Sequence, residues 1–156
     1  MAETNDSPKA KITFYPVGNG DTTQIETTNN KRIIIDFNRI APEKEDGFDL
    51  YEELKKSLGN KKEVDVFMVT HMDDDHIGGF SEFFDLQHAE KYQGNGRIKI
   101  KELWVPAAVI LESGEEISGE KAILRAEARH RLKQNTGIKI FSKPEALKDY
   151  LEEHNI

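Results

Sequence analysis

The sequence contains no cysteine, which excludes both a disulfide framework and a thiolate metal site. It also lacks any apolar run near the roughly 18 residues that a membrane-spanning helix needs. Its longest apolar stretches, such as residues 32–37, have the length of a strand. Residues 1–11 are polar, lack the apolar centre of a secretory signal and are predicted to form a disordered tail. Together these absences predict a cytoplasmic protein without a membrane segment.

The sequence also has fewer basic than acidic residues. The chain has 22 Lys and Arg against 29 Asp and Glu, a net charge of −7. This balance argues against nucleic-acid binding by bulk electrostatics. It does not exclude an enzyme that contacts phosphates locally, because metal ions held by carboxylates can reverse the field inside a cleft. The 37% of hydrophobic residues fall into clear blocks, so residues 12–156 are predicted to belong to one ordered domain.

The apolar blocks predict alternating strands and helices. Strands are predicted at 12–17, 23–27, 32–37, 64–69, 98–105 and 138–141, and helices at 50–58, from 79 to about 86, at 120–135 and at 145–153. Ser142 and Glu145 are predicted to form a capping box for the last helix. Short turns join the first three strands, which predicts an antiparallel meander. The strand and helix alternation that follows predicts an α/β fold with a mixed sheet and flanking helices.

A run of potential metal ligands, which we call the metal-type run, follows the strand predicted at 64–69. It reads His71-Met72-Asp73-Asp74-Asp75-His76. At the end of a buried strand, such side chains converge on a cleft while the backbone stays fixed. His71 and Asp73 are two residues apart and point the same way from an extended segment. Asp75 and His76 can turn toward a second point, and two divalent ions roughly 3.5–4 Å apart would suit the set. An acidic run is more often a solvated turn, but two flanking histidines favour metal ligation.

The segment THMDDDHIGG (residues 70–79) resembles the signature of the metallo-β-lactamase superfamily, a His-x-His-x-Asp-His run between a buried strand and a helix. The segment 12–38 is similar to the opening of the ComEC-type members of that superfamily. Its turn residues Gly18, Gly20 and Asp21 and its later Asp36 match that opening. The resemblance covers residues 12–84 well and the remainder loosely.

This resemblance implies that residues 12–156 are the N-terminal half of an αββα metallo-β-lactamase sandwich. It assigns His71 and Asp73 to one metal ion, and Asp75 and His76 to a second. Asp75 would also act on the bridging water and is the implied catalytic residue. The family usually has histidine at the position of Asp73. A carboxylate there shifts preference toward harder ions, so Mn²⁺ or Mg²⁺ becomes plausible beside Zn²⁺.

The remaining ligands of the family, a third histidine, a bridging aspartate and a final histidine, come from the second half of the sandwich. The other histidines here, His88, His130 and His154, are predicted to lie at the surface. The chain is therefore predicted to be inert alone. It would be completed by a C-terminal half, in the same polypeptide or in a separate chain, or it would self-associate through an exposed apolar sheet face.

The function implied by the resemblance is a metal-dependent hydrolase, a phosphodiesterase or nuclease acting on DNA or RNA. Two alternatives stay open: hydrolysis of lactones, thioesters or other small molecules, and a non-catalytic half-domain that serves as an interaction module. Four basic residues spaced along one helix, Lys121, Arg125, Arg129 and Lys133, favour a solvated face. A contact with a phosphate backbone is their functional alternative.

Overall fold

Seven short strands form one mixed sheet in the computed structural model, which describes residues 9–39, 48–112, 117–142 and 144–156. The strands are β1 (Lys11–Phe14), β2 (Thr23–Glu26), β3 (Arg32–Ile35), β4 (Glu63–Met68), β5 (Phe84–Asp85), β6 (Ile98–Val105) and β7 (Ile138–Ile140). The helices are α1 (Leu50–Leu58), α2 (Asp74–Ile77), α3 (Phe80–Phe83), α4 (Ala108–Leu111), α5 (Gly119–Lys133) and α6 (Glu145–Glu153), with a 3₁₀ turn at Glu90–Tyr92. The predicted α/β class and mixed sheet are confirmed. Residues 1–8 of the predicted tail lie outside the described residues, as do residues 40–47, 113–116 and 143.

The sheet has the strand order β1-β2-β3-β4-β6, and both β5 and β7 pair with β6. The first three strands are antiparallel, as the short turns predict, whereas β3, β4, β5, β6 and β7 pair in parallel. Parallel neighbours place their carboxyl ends at one edge of the sheet. Among the described helices, none is long and apolar enough to cross a membrane.

The strands of the meander are shorter than predicted, for local reasons. The first was predicted to reach residue 17 but ends at Phe14, shortly before Pro16, which has no N–H to donate to a ladder. The third was predicted to reach residue 37 but ends at Ile35, because Asp36 adopts a left-handed conformation with φ of 55°. This kink turns the chain toward the metal-type run.

Two predicted features near helix ends are wrong. The helix predicted from 79 to about 86 ends at Phe83, because Phe84 adopts extended backbone and pairs with Ile98 of β6. The capping box of the last helix does not form. The hydroxyl of Ser142 instead accepts a hydrogen bond from the backbone N–H of Ala107 at 2.8 Å. Pro144 occupies the N-cap position, where it offers no side-chain hydrogen bond.

The core lies on one face of the sheet, under the helices. Leu50, Leu54 and Leu58 of α1 are buried there, as their helical spacing predicts. Phenylalanines fill the centre, and the rings of Phe67 and Phe84 stack with centroids 4.5 Å apart. This packing fixes β4, whose carboxyl end carries the metal-type run.

The basic residues of α5 do not form a solvated ridge. The Nε of Arg125 donates to the carbonyl of Val109 at 3.3 Å, and the Nε of Arg129 donates to the carbonyl of Ile110 at 3.1 Å. Both guanidinium groups thus satisfy carbonyls of α4 that have no partner within so short a helix. The predicted solvated face is therefore wrong for these two arginines, because they tie α5 to α4.

The opposite face of the sheet carries a largely apolar surface, which we call the open face. Its side chains lie in two cross-strand rows, one of Ile12, Ile25, Ile33 and Val66 and one of Phe14, Thr23, Ile35, Met68 and Trp104. At the β6 and β7 side the rows end at the charged residues Glu102 and Lys139. Of the edge residues, Phe14 is 77% and Ile12 57% exposed. Apart from Val66, the apolar members are exposed or partly exposed, and none of those packs against the buried core cluster. An apolar face of this extent is typical of an interaction surface.

Candidate metal centre

The metal-type run lies where β4 leaves the sheet, at the carboxyl end of the parallel strands. His71 follows β4 in irregular backbone, and the residues from Asp74 form the single turn of α2, which the sequence did not predict. The loop is fixed by backbone hydrogen bonds. The N–H of Phe37 donates to the carbonyl of His76 at 2.8 Å, and the N–H of Arg39 donates to that of Gly78 at 2.9 Å. The segment after β3 therefore holds the run in place.

The structure brings together three of the four predicted ligands. One ligand atom each from His71, Asp75 and His76 lies within 4.8 Å of the other two. Asp73 does not join this group. Its side chain is 69% exposed, and its carboxylate lies 3.5 Å from the Nε2 of His71. The helical turn explains the difference, because it carries Asp75 and His76 back over His71 and leaves Asp73 at the N-cap of α2.

A buried carboxylate, Asp36, supports the cluster from below. It is 2% exposed and accepts hydrogen bonds from the backbone N–H of Thr70 at 2.7 Å and from the Thr70 hydroxyl at 2.6 Å. Its Oδ2 also lies 2.9 Å from the Nδ1 of His76. One aspartate therefore joins the end of β4 to the ring of His76. Carboxylates that orient a ligating histidine in this way fix both its tautomer and its ring plane.

These contacts present the same nitrogen from both imidazoles. If the Nδ1–H of His76 donates to Asp36, its Nε2 keeps a free lone pair. The Nδ1 of His71 lies 3.0 Å from the Thr70 hydroxyl, which already donates to Asp36 and can accept from that ring. The two ring centroids are 3.6 Å apart, and the Nε2 of His76 lies 3.7 Å from Asp75 Oδ2. Two imidazole nitrogens and one carboxylate oxygen therefore share one small volume.

The N-terminal glycine loop borders the cluster. A Cβ built on Gly20 would lie 2.5 Å from the carbonyl oxygen of Asp75, so a side chain at this position would clash. The backbone N–H of Asp21 donates to that same carbonyl at 3.3 Å. The carboxylate of Asp21, 73% exposed, lies 4.0 Å from the Nδ1 of His76. Gly20 is thus required for the close approach, which places one more carboxylate beside the cluster.

The surrounding carboxylates favour positive charge at His76. Burial lowers the pKa of this imidazole, but the hydrogen bond and the negative charge of Asp36 outweigh it. Asp75 and Asp21 act in the same direction, and the net result is a raised pKa. The negative potential of these carboxylates therefore favours the binding of a cation at the cluster.

The donor set fits a divalent metal ion. Imidazole nitrogen suits zinc and other transition ions, whereas carboxylate oxygen suits manganese and magnesium, and a mixed set accepts either. The buried supporting carboxylate of Asp36 is a further feature of such centres. Metal binding requires both imidazoles to be deprotonated at the ligating nitrogen. His71, Asp75 and His76 are the residues that would hold the ion.

The remaining histidines lie away from this centre. His88 was predicted to be a surface residue, which is wrong. Its Nδ1 lies 3.0 Å from the carboxylate of Glu127, and its side chain is 13% exposed. That contact belongs to a buried ion pair below β6. His130 is partly buried on α5, and His154 is exposed, as predicted.

The supporting role of Asp36 and Thr70 cannot be read from the motif itself, because these residues lie 34 positions apart. The available signal is topological: Asp36 directly follows β3, the parallel neighbour of β4.

No protein-family model matches the chain, and no curated protein matches it either.

Proposed function

We propose that the chain is the N-terminal half of a metallo-β-lactamase-fold metallohydrolase that cleaves phosphodiester bonds in DNA or RNA once a second half completes it. The observation that carries this proposal is the convergence of His71, Asp75 and His76 at the carboxyl end of β4, with Asp36 behind them. The nuclease assignment rests on the resemblance of residues 12–84 to ComEC-type members of that superfamily.

The roles of the side chains follow from their positions. Bound divalent ions would lower the pKa of a water molecule and stabilise negative charge on a phosphoryl oxygen. His71 and His76 would bind through Nε2, while Asp36 keeps the ring of His76 in place through Nδ1. Asp75, which is half-exposed beside them, would orient the attacking water and accept its proton. Asp73 and Asp21 border the site and are available to a second ion.

Metal titration tests the proposed centre without requiring catalysis. We expect Mn²⁺ or Zn²⁺ to bind the purified chain in calorimetry, and His76→Gln to weaken that binding by more than about tenfold. Asp36→Asn should weaken it by about 10- to 100-fold although Asp36 binds no ion, because the ring loses its orientation. His154→Gln, which changes an exposed histidine just after α6, is the matched control. Unchanged affinity in both site variants would contradict the metal centre.

The open face supports the second part of the proposal, the requirement for a complement. A sheet with helices on one face and partly exposed isoleucines, Met68 and Trp104 on the other leaves apolar surface that a second layer would normally cover. The same observation favours the alternative function of a non-catalytic half-domain that acts as an interaction module. The two functions differ in whether the assembled complex hydrolyses a phosphodiester.

We expect the purified chain alone to self-associate, and to become a monomer when Ile12 and Phe14 are both replaced by lysine. The change places charge at the most exposed edge of the open face, where it leaves the buried core untouched. Light scattering across a concentration series measures the mass. Ile156→Lys, another exposed apolar residue outside the open face, is the control. A wild-type chain that is monomeric and carries two ions per molecule would overturn the half-domain proposal.

A further inference from the structure

Five lysines surround a concavity of about 520 Å³ at the end of the sheet opposite the metal-type run. This lysine cluster consists of Lys31, Lys61, Lys62, Lys99 and Lys101. They come from three separate parts of the chain: the turn between β2 and β3, the turn that precedes β4, and the first half of β6. The fold therefore concentrates positive charge in one place on a chain whose net charge is −7.

Three of these side chains are held in position. The ammonium groups of Lys31 and Lys101 both lie 3.1 Å from the same oxygen, Oδ1 of Asp65. The ammonium of Lys61 donates to the carbonyl oxygen of Asn30 at 2.8 Å. Burial raises the pKa of Asp65, but the backbone N–H of Arg32 and the two lysines outweigh it and hold that pKa at about 2. The carboxylate thus stays ionised and keeps two ammonium groups together.

The cluster retains excess positive charge after these pairings. Its five ammonium groups face two carboxylates, Glu63 and Asp65. Within the described part of the chain, neither Lys62 nor Lys99 forms an ion pair, and both are exposed. Ammonium groups act as point charges toward phosphate and read no base. With no aromatic ring lining this concavity, base stacking is not part of the recognition.

We infer that the lysine cluster is a docking surface for the phosphate backbone of a nucleic acid, separate from the metal centre. This inference rests on the proposed nuclease function and identifies where the substrate is held. Glu63 begins β4 beside the cluster, and His71 lies eight residues further along the chain, so the two places are at most about 26 Å apart at roughly 3.3 Å per residue. A duplex rises about 3.4 Å per base pair, so this span corresponds to about eight base pairs. A duplex of about that length is therefore long enough to reach both places.

The test is a binding experiment in EDTA, where the metal centre takes no part. A fluorescein-labelled 20-base-pair DNA is titrated with the chain at low salt, and its anisotropy is followed. We expect Lys62→Glu combined with Lys99→Glu to weaken binding at least tenfold and to reduce the salt dependence, because fewer counterions are released. The matched control combines Lys55→Glu with Lys148→Glu, which makes the same change in net charge on the exposed surface of α1 and α6, outside the lysine cluster.

Equal weakening by both double variants, or none by either, would overturn the docking surface. Labelled polyglutamate is titrated in parallel, and binding as tight as that of DNA would assign the cluster to an acidic protein partner instead. The assay distinguishes this inference from the proposed function. If DNA binds through the cluster but the completed assembly does not cleave it, the docking surface stands and the nuclease proposal fails. If the Lys62 and Lys99 double variant still cleaves DNA and binds it as tightly as the wild type, the docking surface fails and the nuclease proposal stands.

Discussion

Replacing Arg131 with methionine is expected to lower the free energy of unfolding by about 3–5 kcal/mol, because it removes the guanidinium that pairs with a buried carboxylate. Arg131 is completely buried, although it lies on α5. Its Nε donates to Oε1 of Glu127 at 2.6 Å, and Glu127 is equally buried. Burial raises the pKa of Glu127, but the charge and hydrogen bonds of Arg131 and His88 outweigh it and keep the carboxylate ionised.

The other donors of Arg131 fill a gap in the sheet. Strand β5 pairs with β6 at Ile98 and Lys99, whereas β7 pairs with the same strand from Leu103 onward. Between them, the carbonyls of Ile100 and Lys101 accept hydrogen bonds from the Nη2 and Nη1 of Arg131, at 3.1 and 3.3 Å. Its Nη1 also donates to the carbonyl of Gly137 at 2.9 Å. The guanidinium thus substitutes for the strand that is missing at this point.

Urea denaturation followed by circular dichroism measures the expected loss. Arg131→Lys should also destabilise the fold, because a single ammonium cannot reach a carboxylate and three carbonyls in this planar arrangement. Lys133→Met, on an exposed position two residues later, is the control and should change stability by less than about 0.5 kcal/mol. A loss below about 1 kcal/mol for Arg131→Met would show that water or a shift of α5 satisfies these groups.

This ion pair also shows where sequence reasoning stops. The spacing of Leu50, Leu54 and Leu58 is local, so it predicts both the helix α1 and its buried side. The charged residues of α5 look alike in sequence, yet Arg131 is buried and Lys133 is exposed. What separates them is the gap between β5 and β7, a feature of strand order that no local pattern contains. For the same reason His88 was predicted at the surface, since its partner Glu127 lies 39 residues away.

The candidate site divides in the same way. The run His71 to His76 after a buried strand predicted the position of a candidate centre, because side chains at the end of such a strand converge on a cleft. It did not predict that a helical turn would begin at Asp74 and include Asp75 and His76, while Asp73 stays outside the group. The conformation of this loop is accompanied by hydrogen bonds that the N–H groups of Phe37 and Arg39 donate to it, which no local pattern contains. Those contacts exist only once β3 lies beside β4.

Asp75→Asn is expected to abolish Mn²⁺-dependent cleavage of DNA or RNA by the completed assembly while the fold is retained. Asparagine keeps the size of the side chain but removes the negative charge and the capacity to accept a proton. Loss of a positioned general base commonly costs about 10²- to 10⁴-fold in rate, and loss of a metal-ligating carboxylate adds to that. The backbone carbonyl of Asp75, which receives the N–H of Asp21, is unaffected by the change. The thermal unfolding midpoint should therefore stay close to that of the wild type.

Single-turnover cleavage of a labelled oligonucleotide, with the chain and its complement both in excess, separates chemistry from binding and product release. Asp74→Asn provides the matched control, since this neighbouring aspartate makes the same change of charge within the run but lies outside the three-ligand group. Its rate should stay within about threefold of the wild type, because an exposed charge near a screened site contributes little. Comparable losses in both variants would mean that the run acts through its total negative charge. Full activity in a folded Asp75→Asn assembly would remove Asp75 from the chemistry and leave His71 and His76 as a pair without a catalytic carboxylate.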